Sequence, residues 1–147
     1  MNTSLVAGIA ALIASAAGPS DYTANNPGHE NWGPPPAGMP KGVKMVVVSG
    51  DPTKPEPYTI RLRFPPGYRI GPHRHPTEEK ITVLAGGLSF GMGPSKQTKI
   101  RQLSRGGHAV VPANTYHSAS TSAGATVEFK GTGPFRISYA VAKDDPR

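Results

Sequence analysis

Three histidines and one glutamate carry most of the chemistry available to this chain. His73 and His75 stand two residues apart in GYRIGPHRHPTEEKITVLAG (67–86), and Glu79 follows four further on. On an extended segment a two-residue step puts both rings on one face, and a further even step keeps Glu79 there. His117 comes from a second stretch, GGHAVVPANTYHSAS (106–120). Alternation also turns Ile81 and Val83 toward that face, so the carboxylate is expected against an apolar wall. A buried carboxylate without a partner is costly or takes up a proton. A divalent cation resolves the conflict, because neutral imidazole and carboxylate are good donors to such an ion. The expected site is therefore one divalent metal ion held by His73, His75, Glu79 and His117. Glu79 doubles as the candidate catalytic group, and positions left open on the ion would serve reaction rather than structure.

The rest of the chain must position these four residues, and its pattern is that of short strands. VKMVVVS (43–49) is a β-branched run. YTIRLRF (58–64) alternates Ile60, Leu62 and Phe64 with Thr59, Arg61 and Arg63, as a half-buried strand does. ITVLAG (81–86), LSFGM (88–92), TKIRQL (98–103), HAVVP (108–112), YHSAS (116–120), ATVEFK (125–130) and FRISYA (135–140) follow, and Gly or Pro separates nearly every pair. No ten-residue segment after residue 20 has helical periodicity. Eight to ten short strands at this spacing predict an all-β sandwich or barrel, whose closure leaves room inside for side chains or one small ligand.

The two stretches that supply the four residues also resemble a known pair of motifs. Gly67, His73, His75, Glu79 and Gly86 are similar to the first cupin motif at each of its fixed positions. Gly106, Pro112 and His117 resemble the second, with Asn114 where glycine is usual and Thr121 where asparagine is usual. Asn tolerates the left-handed backbone that a glycine would supply there. The resemblance covers about residues 40–140. It implies a double-stranded β-helix, the jelly-roll barrel of cupins, and a metal site of three His and one Glu. Within that family the chain looks most like exported single-domain cupins of unassigned activity.

Length and composition agree with one domain. The 147 residues include 18 Gly and 17 Pro, as a turn-rich β domain requires, and no Cys. Disulfides, thiolate metal sites and cysteine nucleophiles are thereby excluded. The net charge of +7 is dispersed, with no two basic residues adjacent, which argues for a solvated basic surface and against nucleic acid as a partner. Leu5 to Ala14 form an apolar run of signal-peptide length, shorter than the ~20 residues of a membrane span, and Ala14-Ser15-Ala16 suits cleavage. The expected organisation is a signal peptide at 1–16, an extended Pro/Gly-rich leader at 17–42, the cupin barrel at 43–142 and a tail at 143–147. Location would be periplasmic or secreted, with the cytoplasm as the alternative and no stable membrane insertion after cleavage. A homodimer is expected only by analogy with cupins.

Surrounding residues divide by alternation. Glu78 and Tyr116 should face away from the site, and His108 should serve surface or packing. Phe90, Met92, Phe135, Ile137 and Tyr139 read as core or pocket wall. One of Arg61, Arg63 and Arg136 could face the pocket and hold a carboxylate bidentately, but strand phase decides which. Three functions remain open for the ion, which could be Fe, Mn, Ni, Cu or Zn: a dioxygenase-type oxidoreductase acting on a small organic molecule; a metal-dependent lyase, isomerase or hydrolase; or a non-enzymatic binder or sensor of a metal or small metabolite.

Overall fold

The computed structural model describes residues 30–95 and 99–147. The signal-peptide expectation falls on residues 1–16, outside the described residues. So does the leader up to residue 29. Asn31–Arg147 form one compact unit. Among the described residues no helix is long and apolar enough to cross a membrane.

Nine strands build the unit: β1 (Lys44–Ser49), β2 (Pro57–Phe64), β3 (Arg69–Arg74), β4 (Glu79–Met92), β5 (Lys99–Ser104), β6 (His108–Val111), β7 (His117–Ser120), β8 (Ala125–Thr132) and β9 (Ser138–Tyr139). All pairings are antiparallel. β1-β2-β8 run to the first half of β4, which also pairs with β6. The second half of β4 pairs with β5 and β7, and β7 leads on to β3 and β9. β4 thus belongs to both sheets, and the all-β, jelly-roll expectation is met.

The core follows from alternation in register. Ile60 pairs with Phe129, which pairs with Ile81; Leu62 pairs with Val127, which pairs with Val83. All six are buried, and Ile60 and Val127 are fully so. Burying each such side chain favours the fold by about 1.5–3 kcal/mol. On the opposite face Arg61 meets Glu128 at 3.1 Å, a registered pair of opposite charge.

Three elements differ from the sequence reading. ITVLAG and LSFGM are one 14-residue strand rather than two. Gly86 and Gly87 do not end it; Gly86, at φ 74°, lets the ribbon pass from one sheet to the other, and a Cβ there would overlap the carbonyl oxygen of Gly124. RIGPHR forms a strand of its own, which Gly71 and Pro72 had concealed. FRISYA contributes only Ser138–Tyr139 to a ladder, because its sole strand partner is the end of β3 at His73 and Arg74.

Residues 31–42 are held against this body as a strap. Gly33 and Met45 exchange backbone hydrogen bonds of 2.8 and 2.9 Å. The Tyr68 hydroxyl donates to the Pro40 carbonyl at 2.8 Å and the Tyr139 hydroxyl to that of Gly38 at 2.7 Å. Met39 enters the core, and the Arg63 guanidinium lies 4.0 Å from the centre of the Trp32 ring. Trp32 therefore anchors the strap, as its size suggests.

Candidate metal centre

The four residues of the expected site come from four places in the chain and meet in the interior. His73 lies on β3 and His117 opens β7, directly opposite it in register. Glu79 opens β4. His75 follows the end of β3, in the turn that carries the chain from one sheet to the other. The strand does resume at Glu79, after that turn, and His75 and Glu79 share a focus because the chain crosses between sheets there. The residues expose 4% (His73), 8% (His75), 4% (Glu79) and 1% (His117) of their surface, so all four are withdrawn from water.

Each imidazole is oriented by a backbone carbonyl. His73 Nδ1 donates to Gly71 at 2.8 Å, His75 Nδ1 to Arg136 at 2.6 Å and His117 Nδ1 to Thr115 at 3.0 Å. A carbonyl oxygen only accepts, so Nδ1 carries the proton in each ring and Nε2 presents a lone pair. Such outer contacts fix the tautomer and the tilt of a ligating histidine. Glu79 Oε2 lies 3.2 Å from His117 Nε2 and 3.8 Å from His75 Nε2. Yet Glu79 Oε2 and His117 Nε2 are both buried without a hydrogen-bond partner. Two buried polar atoms 3.2 Å apart with no hydrogen bond to satisfy either are what a cation between them would relieve.

The ligating atoms of His73, His75 and His117 all lie within 4.8 Å of one another. Two nitrogens bound to one ion at ~2.1 Å stand at most ~4.2 Å apart. That 4.8 Å bound exceeds this limit by about 0.6 Å, so a small inward movement of the rings brings the cluster to ligating size, and it could hold a metal ion.

Aromatic rings and backbone groups surround the four residues. Phe135 packs on His75 with ring centres 5.1 Å apart, Phe90 on His117 at 5.7 Å and Tyr139 near His73 at 5.9 Å. The Asn114 amide donates to the His75 carbonyl at 2.7 Å from a left-handed backbone, φ 59°, which ties the second-motif turn to the first motif. This is the conformation expected of the residue standing where glycine is usual. Thr121 is buried and accepts from the Gly124 amide at 3.1 Å. Glu78 is exposed beside Lys80, His108 is exposed, and Tyr116 turns outward under Arg74. The three orienting carbonyls escaped the sequence reading; a carbonyl belongs to every residue and leaves no signature.

His73 is held neutral. Burial pushes its basicity well below the usual imidazole range, and His117 and His75 push the same way against the Gly71 carbonyl bond. An unfolded histidine binds a proton below about pH 6.5, and this folded one does not. Below that pH the unfolded state takes up more protons, so the metal-free fold loses stability as pH falls. Between pH 7.5 and 5 the metal-free fold should therefore lose stability through this ring. Urea unfolding of metal-free protein at the two pH values measures it, and coincident midpoints would contradict a neutral, buried His73.

Solved structures provide the comparison. No protein-family model matches the chain, and no curated protein matches it. An RmlC-like cupin from Shewanella frigidimarina superposes with a TM-score of 0.59 at 15% identity, covering 76% of this chain and 91% of its own. The domain is a cupin by fold. The DMSP lyase DddQ from Ruegeria pomeroyi gives a TM-score of 0.60 at 20% identity, over 75% of this chain and 60% of the lyase. An oxalate oxidase bound to the substrate analogue glycolate gives 0.50 at 24% identity, over 57% and 46%. These likenesses establish the shared barrel; chemistry must be argued from the site.

Proposed function

We propose that this cupin holds one divalent metal ion through His73, His75, Glu79 and His117 and uses it as a dioxygenase-type oxidoreductase on a small organic molecule. The observation that carries the metal assignment is the pair of unsatisfied buried atoms, Glu79 Oε2 and His117 Nε2, inside a ring of carbonyl-oriented imidazoles. When bound, the ion would supply Lewis acidity and, if redox-active, electron transfer at open positions. The chain's own residues supply the rest: three lone pairs of set direction, a carboxylate that would ligate the ion or, if displaced from it, take a proton from substrate, and aromatic walls that exclude water.

Redox chemistry is favoured over hydrolysis by that wall. Phe90, Phe135 and Tyr139 offer an apolar lining and few donors for a second polar reactant. A redox-neutral lyase remains the second reading, because the fold is shared with a lyase as well as an oxidase. The test begins with metal analysis of untagged protein by inductively coupled plasma mass spectrometry. Close to one equivalent of iron, manganese, nickel or copper is the expected result, followed by oxygen uptake with a phenol and diketone panel. Turnover without oxygen would replace the oxidase reading by the lyase. Stoichiometric metal with no turnover would leave a binder, and absence of metal after reconstitution would end the metalloprotein reading.

A further inference from the structure

A hollow of about 470 Å³ lies under the strap, walled by Pro35, Pro36, Met45, Pro52, Phe135 and Arg136. Its volume suits a small organic ligand. Two features join it to the metal centre. The Phe135 ring that forms part of its wall packs on His75, with ring centres 5.1 Å apart. The Arg136 carbonyl, in the same wall, receives the His75 Nδ1 proton at 2.6 Å. Phe135 therefore borders the hollow and packs on the imidazole cluster. A second hollow, about 500 Å³, lies among Arg63, Pro65 and Gly124; neither hollow includes any of the four site residues, but the first has in its wall two residues, Phe135 and Arg136, that contact His75.

Charge identifies the ligand. Of the three arginines whose strand phase was open, Arg61 is committed to Glu128 and Arg63 covers the Trp32 ring. Arg136 is exposed, lines the hollow and has no carboxylate partner among the described residues. The carboxylate that belongs to the turn beside Pro52, Asp51, is engaged by Thr53 and Lys54, which hold it down to about 2. An apolar trough with one free guanidinium at its wall matches an anion with a hydrocarbon body, and guanidinium pairs with carboxylate through two parallel hydrogen bonds.

We propose that the hollow under the strap binds a small organic carboxylate, its charge on Arg136 and its apolar body against Phe135, Met45 and the strap prolines. The proposal rests on the metal reading only for what becomes of the bound molecule, not for binding itself. Benzoate is the probe, and benzyl alcohol its neutral counterpart. Both are titrated into full-length ¹⁵N-labelled protein whose metal content has been recorded, with amide shifts as the readout.

Benzoate should shift the amides of Ala37, Thr53, Phe135 and Arg136. Arg136→Gln should weaken benzoate at least tenfold while leaving benzyl alcohol binding and metal content unchanged, and Arg136→Lys should recover part of the loss. Equal benzoate affinity in wild type and Arg136→Gln overturns the proposal, as does an absence of shifts at those amides. Arg136-dependent binding to protein that never takes up metal would uphold the hollow and remove the metal reading. Metal-loaded protein with Arg136-independent binding would do the reverse.

Discussion

His117→Ala is expected to abolish stoichiometric metal binding and with it the stabilisation that metal confers. His117 is the most deeply buried of the four residues, and its Nε2 faces Glu79 Oε2 without any other partner. An ion bound to the native state alone stabilises it by about 4 kcal/mol at a thousandfold excess over its dissociation constant. That increment should be present in wild type and missing in the variant. The substitution also empties a packed position beside Phe90, so metal-free His117→Ala should melt below metal-free wild type by about 1–3 kcal/mol. Thermal melts with and without added metal separate the two effects. Equal metal-induced shifts in both proteins would remove His117 from the site.

Glu79→Gln should act in opposite directions on the two forms of the protein. In the metal-free form the substitution replaces a buried, unsatisfied carboxylate by a neutral amide, whose N–H can donate to the His117 lone pair. Metal-free Glu79→Gln should therefore match or exceed metal-free wild type in stability. In the metal-bound form it withdraws the one anionic ligand, and affinity should fall by at least tenfold. Calorimetric titration with metal and urea unfolding without it test the pair. If Glu79 instead served as a structural ion-pair partner of the histidines, removing its charge would destabilise the metal-free protein. The sign of that single measurement distinguishes a ligand from a strut.

Why these four residues could be found before the structure, while much around them could not, has a physical answer. His73, His75 and Glu79 lie in one short segment, and their side chains are of the few types that bind metal, so type and spacing carry the signal. Alternation in YTIRLRF placed Ile60, Leu62 and Phe64 inside, because the strand has one buried face. β3 stayed hidden because Gly71 and Pro72 weaken strand propensity, and only pairing with β7 and β9 overrides them. The continuity of β4 was concealed in the same way by a glycine pair that bends a strand rather than ending it. Choosing among Arg61, Arg63 and Arg136 required the partners that two of them find, and partners belong to tertiary structure.

The strap is fastened in a way that bears on how this protein could change. Its anchors are hydroxyl groups of Tyr68 and Tyr139 on the body, and they grip the backbone carbonyls of Pro40 and Gly38. The hydrogen bonds thus depend on the main chain of the strap and hardly on its side chains. Pro35, Pro36 and Ala37 border the hollow yet contribute nothing to those hydrogen bonds. Randomising these three positions should reshape ligand preference while the fold and the histidine cluster stay intact. On the proposed reading the barrel would carry the chemistry and the strap the selectivity, an arrangement suited to divergence by mutation and to directed evolution in the laboratory.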